Sequence, residues 1–158
     1  MATVLKNLSE FNPNEIPNAE DYTFGIVVSE WNAEITNALL QGALDTLLSA
    51  GAKKESIVIK SVPGTYELAY GAKRMIETNN TNAVICLGCV IQGETRHFDF
   101  ICDATAHGIM QVSLEKGLPV IFGVLTTDNL EQAKDRSGGK HGNKGVEAAV
   151  TALKLLHF

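Results

Sequence analysis

Residues 83–97 read AVICLGCVIQGETRH, and this stretch decides the fold. Its first nine positions are apolar or glycine without a break, and a Gln-Gly turn ends the run. A strand with one wet face would alternate polar and apolar residues. A continuous run predicts a strand covered on both faces, as in a parallel sheet. Three more runs have this character: TFGIVVS at 23–29, SIVIKSV at 56–62 and PVIFGVL at 119–125. Helical spacing separates them. After Asn32, a candidate cap, the stripe Ile35, Leu39, Leu40, Ala43, Leu44, Leu47 and Leu48 runs to Gly51. Leu68, Ala72, Met75 and Ile76 mark a second helix. Phe98, Ile101, Cys102, Thr105, Ile109 and Val112 mark a long third. Asp128 to Glu131 reads as a capping box with Asp128 as the cap. Asn143 opens a last helix with Val146, Val150 and Leu153 inward.

The order is βαβαβαβαα. Right-handed crossovers turn it into an α/β protein, a three-layer α/β/α sandwich around a four-stranded parallel sheet. Residues 1–21 carry Pro13 and Pro17 and little pattern, and read as an N-terminal arm outside the core. Residues 22–158 read as one domain. A chain of 158 residues buries roughly 68–70 % of its unfolded surface, enough for its own core. Apolar residues make 45 % of the chain and charged ones 20 %, a balance that excludes disorder as the main state. The net charge of −5 argues against a nucleic-acid surface, which should be basic. No run approaches the roughly 20 apolar residues of a membrane span, and residues 1–14 lack the apolar core of a signal peptide. The expected location is the cytoplasm.

Three cysteines, Cys86, Cys89 and Cys102, speak against a disulfide framework. Cys86 and Cys89 form a C-x-x-C, but inside a strand residues three apart face opposite ways. No second ligand pair stands at zinc spacing, so no metal is expected and the two read as buried thiols.

Parallel sheets bind ligands beyond the carboxyl ends of their strands. The segments there carry Trp31 and Asn32, then Thr65, Tyr66 and Glu67, then Gln92 to His97, then Thr126 to Asp128. The single Trp of the chain, a Tyr, a Glu and a His thus gather on one rim. Gly93, Glu94 and Thr95 lead into a helix N-terminus, whose free N–H groups suit an anion; simple capping by Thr95 is the other reading. RSGGKHGNKG at 136–145 is basic and glycine-rich, yet Lys140 is followed by His141, so it is no Walker loop. It either presents Arg136, Lys140 and Lys144 to a phosphate or polyol, or is a solvated turn. His97 sits where a general acid/base would sit. His107, four residues after Asp103, reads as an exposed pair, and His141 and His157 carry no assigned chemistry.

Read together, FGIVVSEWN (24–32), VPGTYEL (62–68), LGCVIQGETRHFD (87–99), PVIFGVLTT (119–127) and EQAKDRSGGKHGNKG (131–145) resemble the 6,7-dimethyl-8-ribityllumazine synthase family. The resemblance covers nearly everything from Thr23 onward. It implies a flavodoxin-like fold and a transferase of riboflavin biosynthesis that uses no metal or organic cofactor. Such an enzyme joins 5-amino-6-(D-ribitylamino)uracil to L-3,4-dihydroxy-2-butanone 4-phosphate. The resemblance puts Trp31 on the pyrimidine ring, with Thr65, Tyr66 and Glu67 along ring and ribityl chain. Cys89, Val90 and Ile91 would line the ring through backbone groups, and Phe122 would close the pocket from a neighbouring subunit. Glu94, Thr95 and Arg136 would hold the butanone phosphate, with Lys140 and Lys144 in support, and His97 would shuttle protons. Trp31 stands where many members carry Phe, Gln92 where Arg is frequent, and Ser137 where Ala is common.

The resemblance also implies pentamers, in some members twelve of them forming a 60-subunit shell, and association with riboflavin synthase as a partner. The short link at 138–142 favours a shell; Pro13 and Pro17 oppose an added strand in the arm. Two other classes stay open at this point: a non-catalytic flavin carrier of the same fold, and a shell protein.

Overall fold

The computed structural model describes residues 16–158. Most of the arm, including Pro13, lies outside the described residues. Four strands form one parallel sheet: β1 (Phe24–Ser29), β2 (Ile57–Val62), β3 (Ala83–Ile91) and β4 (Val120–Thr127). Their order is β2-β1-β3-β4. Three helices connect them, α1 (Ala33–Ser49), α2 (Leu68–Asn79) and α3 (His97–Lys116), and α4 (Leu130–Arg136) and α5 (Lys144–Leu156) follow β4. The α/β/α sandwich expected from the apolar runs is therefore present.

Two cores flank the sheet. On one face Phe24, Ile26, Ile85 and Leu87 meet Ile35, Leu39 and Leu47 of α1 and Ala149 and Leu153 of α5. On the other, Val27, Val84 and Cys86 meet Leu68 and Met75 of α2 and Ile109 of α3. Every residue of β1 is buried, and so are the first seven of β3. Burying an aliphatic or aromatic side chain of this kind is worth about 1.5–3 kcal/mol, which makes this central pair the anchor of the fold. Coverage on both faces fails at β2. It is an edge strand whose Lys60 and Ser61 are exposed, and Ile59 stands 40 % exposed.

The strand alternation correctly separates the C-x-x-C pair. Cys86 lies in the α2/α3 core and Cys89 in the α1/α5 core. Among the described residues no group of three His, Cys, Asp or Glu could hold a metal ion, and all three cysteines are free.

Three local expectations need correction. Residues 16–21 are no detached arm: the Ala19 N–H donates to the Ala50 carbonyl at 2.9 Å, and Ala19 is fully buried with Ile16 and Tyr22 packed beside it. The cap of α4 is Asn129, whose side chain accepts from the Gln132 N–H at 2.9 Å. Asp128 instead donates its N–H to Gln132 Oε1. The glycine-rich segment after α4 is ordered as a small antiparallel hairpin, β5 (Ser137–Gly139) with β6 (Gly142–Asn143). The expectation for Asn143 holds, since its Oδ1 accepts from the Gly145 and Val146 N–H groups. Its Nδ2 also donates to the Ala38 carbonyl of α1 at 2.9 Å.

Asn143 thereby seats the first turn of α5 against α1, and the helices touch there. A Cβ at Gly145 would overlap the backbone carbonyl of Leu39. Backbone cannot swing aside as a side chain can, so Gly145→Ala must push the helices apart. Overpacking of this kind costs about 1–3 kcal/mol. Thermal melts should show the variant unfolding well below the wild-type midpoint, and an unchanged midpoint would contradict the contact.

Candidate active site

β1 and β3 pair from Phe24↔Ala83 to Val28↔Leu87, and β1 ends at Ser29. β3 continues to Ile91, still paired with β4. The missing continuation of β1 leaves a crevice at the carboxyl end of the sheet, where ligands of parallel sheets bind. A cavity of about 890 Å³ fills it. That is within the range of small-molecule sites.

The walls come from four segments. Trp31 and Asn32 follow β1; Pro63 to Glu67 follow β2; Cys89 to Ile91 close β3; Gly93, Thr95 and His97 lead into α3, which adds Phe98, Phe100 and Ile101. The turn after β2 is held close by a bare position on β3. A Cβ at Gly88 would lie 2.9 Å from both Thr65 Oγ1 and Leu68 Cδ1. Thr65 is buried, and its carbonyl accepts from Thr105 Oγ1 at 3.3 Å. The loop is braced again where Glu67 Oε2 accepts from the Gly64 N–H at 2.9 Å. The aromatic side chains are free of such restraint: Trp31 is 73 % exposed and Tyr66 59 %. Two aromatic faces above a floor of strand backbone suit a flat ring that carries hydrogen-bonding edges.

His97 is the first residue of α3, and its N–H donates to Thr95 Oγ1 at 3.4 Å. Its ring is exposed, on the wall of the cavity. Arg96 precedes α3 at the cap position without a side-chain cap bond, and its carbonyl accepts from the Asp99 N–H at 3.1 Å. Thr95, one residue before the cap position, thus satisfies the first N–H of the helix with its hydroxyl.

Nine of the residues singled out from sequence therefore share one cavity: Trp31, Thr65, Tyr66, Glu67, Cys89, Val90, Ile91, Thr95 and His97. Five do not line it. Glu94 is exposed beside it. Phe122 lines a second, shallower hollow with Arg96, Phe98, Asp99 and Thr126. Arg136 donates to the Gln132 carbonyl at 3.0 Å on α4. Lys140 stands 3.8 Å from Asp135. Lys144 reaches Glu147 at 2.6 Å, and Glu147 Oε1 is buried with no partner among the described residues. His107 pairs with Asp103 at 3.1 Å on the exposed side of α3, as its spacing predicts.

Asn32 holds the cap position of α1, as the sequence reading expected, and its carbonyl accepts from the Ile35 and Thr36 N–H groups, but its side chain does not cap. Its backbone is left-handed (φ 61°, ψ 46°), and its Nδ2 donates to the Cys89 carbonyl at 2.9 Å. Pro63, beyond β2 where the rim was expected, lines the cavity, whereas Phe98 and Phe100 were not singled out as lining residues. Apolar wall positions give no signal distinct from core positions until the fold leaves them uncovered.

The fold and the cavity define a class: a parallel α/β protein with a cavity at the carboxyl end of its sheet, lined by exposed aromatic rings, a carboxylate and an imidazole. A family model described as 6,7-dimethyl-8-ribityllumazine synthase matches residues 21–158. A protein of that name from Cytophaga hutchinsonii is 60 % identical over 156 residues, covering 99 % of this chain and 98 % of that one. Another from Parabacteroides distasonis is 52 % identical over 158 residues, covering 100 % and 99 %. A third, from Flavobacterium johnsoniae, is 54 % identical over 158 residues, covering 100 % and 83 %. The chain belongs to the 6,7-dimethyl-8-ribityllumazine synthase family.

The thiols of the strand contribute no nucleophile. Burial pushes Cys86 up to about 12 and Cys89 up to about 11. The folded chain therefore keeps both protons above the ordinary thiol value of 9.0, while the unfolded chain releases them. The stability that this contributes is complete below pH 9 and is lost as the pH rises toward 11–12. Denaturation midpoints should fall from pH 9 upward, and Cys86→Ala should flatten that fall. Equal slopes for wild type and variant would count against the buried thiol as its source.

Proposed function

We infer that this chain condenses 5-amino-6-(D-ribitylamino)uracil with L-3,4-dihydroxy-2-butanone 4-phosphate to 6,7-dimethyl-8-ribityllumazine, releasing phosphate and water, as a transferase of riboflavin biosynthesis. The observation that carries the reading is the juxtaposition in one cavity of Trp31, Tyr66, Glu67, the end of β3 and His97. The chemistry asks for such a site. The uracil's 5-amino group attacks the ketone and loses water to give an imine. Phosphate is eliminated, and the resulting enol becomes a ketone. The ribitylamino nitrogen closes the ring on it, and a second water leaves. Each step moves a proton, and imidazole is the side chain suited to do so near neutral pH. Holding both substrates together supplies much of the remaining acceleration.

In this reading Trp31 stacks on the pyrimidine, Thr65, Tyr66 and Glu67 follow ring and ribityl chain, and Cys89, Val90 and Ile91 offer backbone groups to the ring. Glu94 and Thr95 stand at the phosphate with the first N–H groups of α3. Arg136, with Lys140 and Lys144 in support, and Phe122 come to the cavity from a neighbouring copy. This fits their position off the cavity of their own chain, and it fits the 43 % exposure of Phe122 at the edge strand. The assembly is a pentamer at least, with the 60-subunit shell and association with riboflavin synthase as its larger forms. Residues 1–21 serve as an arm whose last residues, from Ile16, pack onto the domain of 22–158. The work is cytoplasmic, in keeping with three unpaired cysteines. No helix among the described residues is long and apolar enough to cross a membrane.

The test is direct. The chain is mixed with both substrates, and product absorbance and phosphate release are followed; absence of both would overturn the reading. His97→Ala should lower kcat by about 10²–10⁴-fold, the usual share of acid/base help, without abolishing turnover. A wild-type rate at saturation would remove His97 from the mechanism. Arg136→Ala should raise KM for the phosphorylated substrate and spare that for the uracil, because a guanidinium fork recognises phosphate.

A further inference from the structure

We propose that Asn32 is the positioning residue of the ring pocket: its carboxamide extends the β1–β3 ladder to Cys89, and its left-handed backbone aims Trp31 over the cavity. The inference rests on the reading that Trp31 and the end of β3 receive the ring.

The first part follows from the sheet. β1 and β3 last pair at Val28↔Leu87. Two residues further along β3, the Cys89 carbonyl faces the side that β1 has left. Asn32 Nδ2 takes this acceptor at 2.9 Å, across 57 residues of chain. The direction is fixed by alternation. Val84 and Gln92 donate their N–H groups to Pro119 and Thr127 on the β4 side. Even-numbered residues of β3 thus face β4, and Cys89 and Ile91 face the crevice. With Cys89 occupied by a side chain that acts as a surrogate strand, the backbone of Ile91 is the next edge along, and it lies at the cavity.

The second part concerns Trp31. An aromatic ring 73 % exposed is held by little packing, so its backbone must aim it. That backbone is tied on both sides. The Trp31 N–H donates to the Pro63 carbonyl at 3.2 Å, after Glu30 N–H has bonded Val62 at 2.9 Å. On the other side, Asn32 turns left-handed (φ 61°) and its carbonyl starts α1 by accepting from Ile35 and Thr36. The position therefore asks for a residue that tolerates positive φ and carries a donor two carbons from the backbone. Among L residues Asn tolerates that region best, and it brings the amide. Gly meets only the first demand. Asp meets the first but offers the Cys89 carbonyl an acceptor.

The experiment uses the full chain as wild type, Asn32→Gly and Asn32→Asp. Trp31 is the only tryptophan, so its fluorescence reports on this site alone. Both variants should raise KM for 5-amino-6-(D-ribitylamino)uracil about tenfold, the scale of one lost hydrogen bond, and leave kcat within about threefold. KM for the butanone phosphate should stay within about twofold. The anisotropy decay of Trp31 should gain a fast component in both. A merely structural role would lower the melting temperature without this split. The proposal is overturned if the uracil KM stays within about twofold of wild type in Asn32→Gly and the Trp31 decay is unchanged. Asn32→Gly keeps the left-handed turn, so it answers even where Asn32→Asp fails to fold. Should the wild type itself form no product, the reading of the function fails, and the Trp31 decay still decides the role of Asn32.

Discussion

The site depends on a difference in strand length. β3 has nine residues, and β1 accompanies only the first five. The paired part is fully buried between two helical layers and carries the hydrophobic stability. The unpaired edge is left with backbone groups that a sheet would normally satisfy. Buried polar groups demand partners. Here an asparagine side chain takes one of them, and a polar ring edge can take the next. The same termination of β1 that ends the core opens the cavity.

Rigidity and exposure are divided accordingly. Thr65 is buried against the bare Gly88, and Glu67 braces its own loop, so the floor is set by packing and hydrogen bonds. Trp31, Tyr66 and Phe100 stand largely exposed around it. Met110 and Leu114 on α3 and Phe122 on β4 are exposed as well. Apolar surface of this extent marks a binding or association face. That agrees with a family whose members assemble.

The alternation of apolar runs and helical stripes made the sandwich legible, because β1 and β3 are buried on both faces and β4 nearly so, and such strands cannot alternate. It misjudged β2, where strand chemistry is the same but position in the sheet is different: an edge strand is covered by whatever neighbour happens to reach it. Residues 16–21 carried little pattern to show where they dock: Ala19 is buried with Ile16 and Tyr22 beside it and one backbone bond to Ala50. Capping was legible at Asn143 and misplaced by one residue at Asn129. Asp and Asn are both good caps, and only the backbone geometry chooses between neighbours.

Residue types at the carboxyl ends of strands were determined by the sequence alone: an indole after β1, a phenol and carboxylate after β2, an imidazole after β3. Local chain chemistry is enough for that, since strand ends are written in short-range hydropathy. What brings those ends to one cavity, and what sends the side chain of the cap residue Asn32 to the Cys89 carbonyl, was decided by tertiary structure. The bond joins residues 57 positions apart, and no local pattern encodes where the other strand will stop.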